Sequence, residues 1–268
     1  MKFLKLAIVA LATLSLLSCR NAEKEVITLK LAHYNVGAFN KTQDSSIDAI
    51  AKMMREVEAD VVSVNEVDSC TARTGVVDQL LELSKAMGEW GCWYAAAMPY
   101  KGGAYGVGIT YDSKYHVVKT DVVNLPKLTG KEPRALAVVE FEKFVFAPTH
   151  VDYATVDSQL GQVAVINAYM DENYGTSEKP VFLCGDFNCE PGSEPINEML
   201  KSWEQISTCD LTYPAVAPVK CIDFIFVRPG ASEVKVKSAE VRTDFQEGDV
   251  KTASDHLPVV VEVEIHRE

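Results

Sequence analysis

Short apolar runs that end in acidic, amide or imidazole side chains are the most constraining feature of this chain. The run at residues 181–184 can lie in a sheet core, and it leads directly to Asp186 and Asn188. Asp255 and His256 lie just ahead of another apolar run. Open α/β sheets hold their ligands at strand ends. Two carboxylates, an amide and an imidazole at such an edge can hold a divalent cation and move a proton, which indicates metal-assisted hydrolysis.

The same arrangement recurs at three other places and once inside a predicted strand. Apolar runs are followed by Asn35, by Glu66 and by His150, whereas Asp223 lies within the apolar run at residues 221–226. A buried carboxylate without a partner is costly, so we expect Asp223 to meet a cation, donors or an imidazole, with His150 the first candidate. Each residue alone also fits a structural role, as a turn residue, a solvated strand end or a hydrogen-bonded histidine.

Hydrophobic periodicity predicts many strands and few helices. Apolar residues at helical spacing predict helices at residues 44–57, 76–87 and 156–170, with Asp44 near the first cap. Apolar runs bounded by turn residues predict strands at residues 29–35, 60–65, 92–97, 105–111, 115–123, 135–141, 144–149, 181–184, 222–227, 233–238 and 259–265. This ratio favours a layered α/β fold with mixed sheets over a pure series of βαβ units.

The N-terminus has the features of an export signal. A lysine-containing start precedes an apolar run at residues 6–17, which is too short to span a bilayer, and Cys19 follows. The order resembles a bacterial lipobox and predicts a signal peptide at residues 1–18, lipidation of Cys19 and a tether at residues 19–26. An ordinary secretory signal with an incidental cysteine is the alternative. We expect an exported protein that is lipid-anchored in the bacterial cell envelope.

Residues 27–268 are expected to form one large domain. No linker, low-complexity segment or internal repeat divides them, and their number is sufficient for a sizeable core. The formal net charge is −12, and the basic residues are dispersed. Tight non-specific binding of DNA or RNA depends on phosphate neutralisation, so this charge disfavours nucleic acid as a partner without excluding a local basic cleft. We expect a monomer.

In their order along the chain, the motifs resemble those of the endonuclease/exonuclease/phosphatase superfamily, with the fold of pancreatic deoxyribonuclease. The matching stretches are Tyr34-Asn35, Asn65-Glu66-Val67-Asp68, GGAYGVGI from Gly102 to Ile109, Pro133-Arg134-Ala135-Leu136, Thr149-His150-Val151, Gly185-Asp186-Phe187-Asn188, IDFIF from Ile222 to Phe226 and SDHLP from Ser254 to Pro258. The resemblance implies an α/β (α+β) fold: a four-layer α/β/β/α sandwich of two packed mixed β-sheets with outer helices. The active site would lie at one end.

The resemblance also implies a metal site. Glu66 would be the principal Mg²⁺ ligand, with Mn²⁺ a possible substitute, and Asn35 and Asp255 would lie close to the metal or the phosphate. Asp255 would also orient His256. Mg²⁺ keeps several waters and takes few protein ligands, so one firm carboxylate with looser partners is reasonable.

Further roles follow from the same resemblance. Asp186 and Asn188 would position the attacking water and the phosphate, and the general base would be Asp186 or His256. His150, paired with Asp223, would stabilise the transition state or protonate the leaving oxygen.

Two residues at the predicted rim bear on the substrate. Arg134 resembles a phosphate-contacting arginine, and Tyr153 occupies a place where the family often has a second histidine, so it would contact the phosphate or serve as a lid or core residue. The expected function is a Mg²⁺-dependent phosphoesterase of the envelope, acting on a phosphorylated small-molecule or lipid substrate that is either a diester or a monoester. An exported metal-dependent nuclease is the alternative, followed by a non-catalytic lipoprotein that binds a phosphorylated ligand.

Overall fold

The structure, a computed structural model, describes residues 25–41, 45–228 and 232–267. The predicted signal peptide, the lipidation of Cys19 and most of the tether lie outside the described residues. The expected tether is nevertheless two residues too long, because residues 25 and 26 already belong to the first strand and pair with the last one. In the described part of the chain, no helix is both long enough and apolar enough to cross a membrane.

The described residues form twelve strands and five α-helices. In chain order the strands are β1 (Glu25–Asn35), β2 (Val61–Ser69), β3 (Gly91–Tyr100), β4 (Gly103–Tyr111), β5 (Val117–Leu125), β6 (Arg134–Phe141), β7 (Val145–His150), β8 (Val181–Asp186), β9 (Glu204–Gln205), β10 (Asp223–Arg228), β11 (Glu233–Val241) and β12 (Val259–Arg267). The helices are α1 (Ile47–Glu56), α2 (Gln79–Ala86), α3 (Val156–Tyr174), α4 (Glu194–Met199) and α5 (Val250–Ala253).

The strands form two six-stranded mixed sheets. The first has the order β11-β12-β1-β2-β4-β3 and the second the order β5-β6-β7-β8-β10-β9. Each sheet has one parallel pair, β1 with β2 and β7 with β8, whereas the other neighbours are antiparallel. The parallel strands of a pair end at the same edge, so both sheets bring strand ends together at one end of the molecule.

Three apolar layers hold the sheets and helices together, and they confirm the expected four-layer sandwich. One lies between the sheets, one lies between the first sheet and the helices α1 and α2, and one lies between the second sheet and the helices α3 and α4. The period of two in a strand decides which side chain enters which layer. In β1, Leu29 and Leu31 face the second sheet, whereas Ala32 and Tyr34 face the helices.

Candidate active site

The row of side chains that faces the other sheet turns polar at the end of several strands. In β1, His33 and Asn35 follow Leu31 in this row, and both are buried. On β8 and β10 the rows end in Asp186 and Asp223, which are directly paired across the two strands. The inter-sheet layer is therefore apolar along most of its length and hydrogen-bonding at one end, where the predicted site residues meet.

A cavity of about 570 Å³ opens at this end of the sandwich. Most of the predicted site residues line it: Glu66, Arg134, His150, Tyr153, Asp186, Asn188, Asp255 and His256. The other two, Asn35 and Asp223, lie behind this wall and contact residues within it. The sequence motifs thus converge on one place, although their catalytic roles stay predictions.

Asp223 is held by three side chains, and His150 is not among them. Its Oδ1 lies 2.9 Å from Nε2 of His33, and its Oδ2 lies 2.9 Å from Nδ1 of His256. Thr212 donates its hydroxyl to the same Oδ2 at 2.5 Å. The expected pairing of His150 with Asp223 is therefore wrong, because the buried His33 of the facing sheet reaches Asp223 instead.

The orientation of His256 also differs from the expectation. Asp223 fixes its ring through Nδ1, so the expected orientation by the neighbouring Asp255 is wrong. Burial opposes the charge on His256, but Asp223 and Asp186 outweigh it and raise its pKa to about 10. Burial likewise opposes ionisation of Asp223, whereas His256 and His33 overcome it and lower the pKa of that carboxyl. His256 and Asp223 thus form a buried imidazolium–carboxylate pair.

Asn35 connects the first sheet to the carboxylates of the site. Its Nδ2 donates to Oδ2 of Asp186 at 3.0 Å and to Oε1 of Glu66 at 3.3 Å. Its Oδ1 accepts the backbone N–H of Gly37 at 3.1 Å. Asn35 therefore holds both carboxylates through its amide nitrogen, and its expected contact with a metal or phosphate stays a prediction.

Asp186 lies at the centre of the polar cluster. Its backbone N–H donates to Oδ1 of Asn65 at 2.9 Å, which joins the two sheets, and its Oδ1 accepts the backbone N–H of Asn188 at 2.8 Å. Its Oδ2 lies 3.5 Å from Nε2 of His150 and 3.6 Å from Nε2 of His256. Burial, helped by the negative charge of Asp223, raises the pKa of Asp186 to about 7.

His150, Arg134 and Asn188 form a second group on the cavity wall. Arg134 Nη1 lies 3.2 Å from Nδ1 of His150, and Asn188 Nδ2 lies 3.0 Å from its Nε2. Burial and the Arg134 charge hold the pKa of His150 well below its ordinary value, so this ring is neutral near pH 7. The Nε atom of Arg134 is buried and has no hydrogen-bond partner. Nη1 of Arg134 also lies 3.3 Å from Oε2 of Glu132.

Glu66 is directed into the cavity by an irregularity of its strand. The pairing of β2 with β4 shifts between Asn65 and Val67, and Glu66 at this bulge has a φ of 57°. A β-bulge re-aims a side chain, and positive φ is strained for a residue with a Cβ. Such strain persists where the surrounding structure supports it, and it clusters at functional sites.

The residues present fit a divalent cation at Glu66 and Asp255. Oδ1 of Asp255 is buried without a hydrogen-bond partner, and the Lys41 ammonium lies 3.5 Å from Glu66 and 3.3 Å from Asp255, which marks a cation position between two carboxylates. Asp186, Asp223 and His256 also bring one ligand atom each within 4.8 Å of one another. Those three residues already hydrogen-bond one another or nearby amides, so the Glu66–Asp255 pair suits a metal better.

Aromatic and charged side chains form the rim of the cavity. Tyr153, at the place where the family often has a second histidine, is 55% exposed and lines the cavity rather than the core. The ring of Tyr213 lies 4.8 Å from that of His256, centroid to centroid.

Three residues that contact the predicted site residues were not predicted from the sequence: His33, Lys41 and Thr212. Alternation in β1 offers a signal for His33, since this residue shares a face with Leu29 and Leu31. Lys41 and Thr212 lie in loops and follow no periodic pattern.

Comparisons with known proteins agree with this architecture. A model of the Endonuclease/Exonuclease/phosphatase family matches residues 32–256. A mannosyl-6-phosphatase of Bacteroides thetaiotaomicron is 20% identical at a TM-score of 0.73, with 88% of this chain and 99% of that chain covered. The human Nocturnin catalytic domain with bound sulfate is 16% identical at a TM-score of 0.69, with 91% and 97% covered. ANGEL2, a 2′,3′-cyclic phosphatase, is 14% identical at a TM-score of 0.69, with 90% and 97% covered. At such identities these likenesses show the fold alone. No curated protein matches the sequence significantly.

Proposed function

Because the chain belongs to the endonuclease/exonuclease/phosphatase family, whose members are hydrolases of phosphoester bonds, we propose that it is a Mg²⁺-dependent phosphoesterase for a small or lipid-linked phosphoester. One observation carries the proposal: Glu66, Asp186, Asn188, Asp255 and His256, from separate parts of the chain, line a single cavity. A phosphodiester and a phosphomonoester both fit this chemistry.

Cationic and donor groups lie where a phosphoryl group would enter. Arg134 contributes a guanidinium to the cavity lining, and His256 is an imidazolium between two carboxylates. Asn188 adds an amide beside His150. Donors fixed in a buried site stabilise the charge that develops on phosphoryl oxygens without reorganisation during the reaction.

Asp186 is the better candidate for the general base. His256 lies 2.9 Å from Asp223 and 3.6 Å from Asp186, so two carboxylates favour its protonated, donating form. Asp186 presents a carboxylate oxygen to the cavity and is held there by Asn35. A carboxylate fixed at this place can accept the proton of an attacking water.

Glu66 and Asp255 would hold the magnesium ion, which when bound supplies positive charge beside the phosphoryl oxygens and lowers the pKa of a bound water. Mn²⁺ would serve in the same place. Glu66, at the bulge in β2, and Asp255, ahead of β12, lie on either side of the Lys41 ammonium, which supports a cation position between them.

Features of the cavity also bear on the alternatives. Acidic side chains in the cavity lining, Glu66, Glu132, Asp186, Glu190 and Asp255, outnumber the lysines and arginines, Lys41, Arg73, Arg134 and Lys220. This charge balance gives less support to a nuclease, which would be favoured by a continuous basic groove. A non-catalytic binding protein would be favoured if a metal-binding or proton-transfer residue pointed away from the cavity. Glu66 and His256 both line the cavity instead.

The cellular setting is part of the proposal and rests on the N-terminal sequence alone. Export, lipidation of Cys19 and attachment to the bacterial envelope would place a monomeric enzyme beside phosphorylated lipids and small phosphoesters. Mass spectrometry of the N-terminal peptide from membrane fractions would test the lipidation directly.

The full chain, purified in detergent, should be assayed with Mg²⁺, with Mn²⁺ and with EDTA. The substrates would be a bis-aryl phosphodiester, an aryl monophosphate, a sphingomyelin-like lipid and plasmid DNA. We expect metal-dependent turnover of at least one of the first three, lost in His256→Ala and kept in His116→Ala, an exposed histidine outside the cavity. Turnover of DNA alone would favour the nuclease, and no turnover without metal binding would reject the enzyme.

A further inference from the structure

The Lys41 side chain already places a positive charge between the two carboxylates of the metal site. Its Nζ lies 3.5 Å from Oε2 of Glu66 and 3.3 Å from Oδ2 of Asp255. An ordinary lysine is protonated at neutral pH, and two carboxylates at these distances favour that form, so the side chain is an ammonium.

The backbone is shaped to admit this side chain. Gly37 has a φ of 54°, and a Cβ at that position would lie 2.3 Å from Cγ of Lys41 and 3.2 Å from Oδ1 of Asp255. The turn is closed by the backbone N–H of Asn40, which donates to the carbonyl of Gly37 at 3.3 Å. A glycine at position 37 leaves room for the Lys41 stem to pass over the turn and reach the carboxylates.

Two cations that bind the same pair of carboxylates repel each other. An ammonium and a divalent ion held by the same oxygens would lie a few ångströms apart, and repulsion at that separation is large in a partly desolvated site. Oδ1 of Asp255, by contrast, has no protein partner. The metal would therefore meet one free oxygen and two that are already neutralised by Lys41.

We propose that Lys41 is a built-in competitor of the metal: its ammonium neutralises Glu66 and Asp255 in the metal-free protein and leaves them when the metal binds. The proposal rests on the metal-dependent function proposed above. Binding of the metal then breaks the two part-exposed ion pairs of Lys41. Lys41 therefore weakens the affinity for the metal and stabilises the protein without metal.

Calorimetric titration of the full chain with Mg²⁺ tests this directly. Removal of two part-exposed ion pairs predicts that Lys41→Gln binds Mg²⁺ about 2-fold to 30-fold more tightly than the wild type. Lys41→Arg keeps the charge and should bind no more tightly than the wild type. Lys101→Gln removes an equal charge beside Tyr100, outside the site, and should leave the affinity within about 2-fold.

Thermal unfolding should show the opposite effect of Lys41→Gln in the absence of metal: a loss of stability rather than a gain in affinity. In EDTA, Lys41→Gln should unfold at a lower temperature than the wild type, because Glu66 and Asp255 lose their counter-charge. Saturating Mg²⁺ should raise the unfolding temperature of Lys41→Gln by more than it raises that of the wild type. Wild-type binding of Mg²⁺ with equal or weaker binding by Lys41→Gln would overturn the proposal and leave the proposed function intact. Absence of Mg²⁺ binding by both proteins would overturn both, whereas binding by Lys41→Gln alone would support the competition.

Discussion

Replacement of Asp223 by asparagine should destabilise the protein in a strongly pH-dependent way. Asp223 is buried and accepts from Thr212 while it pairs with His33 and His256. Asparagine keeps nearly the same shape but removes the charge. The result isolates the electrostatic part of the network from its packing.

The expected size follows from the pKa of His256, which rises from the ordinary 6.5 to about 10 in the folded protein. A difference of this size corresponds to about 5 kcal/mol of preference for the imidazolium, of which Asp223 supplies the largest favourable part. We therefore expect Asp223→Asn to lower the free energy of unfolding by about 3–5 kcal/mol near neutral pH.

The pH dependence has a definite sign. A pKa that is raised on folding contributes stability that is fully present below the unfolded value of 6.5 and is lost as the pH rises through about 10. The wild type should thus lose this contribution between neutral and strongly alkaline pH, whereas Asp223→Asn has little of it to lose. The difference between the two proteins should shrink over that range.

Urea unfolding in EDTA at about pH 7.5 and about pH 10.5 measures this difference. Tryptophan fluorescence, to which the buried Trp203 contributes, follows the transition. Asp68→Asn is a matched control, because the buried Asp68 pairs with Arg73, whose charge does not titrate in that range. Its cost should be nearly the same at both pH values. A loss of unfolding free energy below about 1 kcal/mol for Asp223→Asn would refute the reasoning. So would a loss that, like that of Asp68→Asn, is the same at both pH values.

Three further substitutions test the roles of single side chains. Glu66→Gln should weaken Mg²⁺ binding at least about 10-fold in calorimetry, and unchanged affinity would remove Glu66 from the metal site. Arg134→Lys should lower kcat/KM about 10-fold to 100-fold on the best substrate, because lysine lacks the planar donors beside His150; activity equal to the wild type would argue against a phosphate contact. Tyr153→Phe should raise KM severalfold with kcat nearly unchanged if the exposed hydroxyl binds substrate, and wild-type kinetics would show that it does not.

Local patterns in the sequence predict most elements of the fold but not how they pair. The helices expected at residues 44–57, 76–87 and 156–170 correspond to α1, α2 and α3, with ends that shift by a few residues. The short α4 and α5 carry too few turns for a periodic signal. The order of strands in each sheet depends on contacts between distant residues, such as β1 with β12, and no local pattern indicates it.

The candidate site shows the same division. Its members could be predicted because polar residues lie beside apolar runs or, for Asp223, within one, but their partners could not. Asp223 needed a partner on energetic grounds, and the chain has five histidines, of which His33 and His256 reach it and His150 does not. The choice is made by the register between two sheets, which brings His33 to Asp223 across 190 positions of sequence. No local pattern contains that register.

The hydrogen bonds between the sheets also explain how stability and specificity are separated in this molecule. Asn65 binds the backbone of Asp186, Asn35 binds its carboxylate, and His33 binds Asp223, so residues of the first sheet hydrogen-bond both buried aspartates of the second sheet. Loss of any of these bonds leaves a buried group unpaired and should cost stability as well as activity. The rim, by contrast, consists of exposed loop residues such as Tyr153, which the core does not need. Substitutions at the rim should therefore change the preferred phosphoester while the fold and the reaction persist.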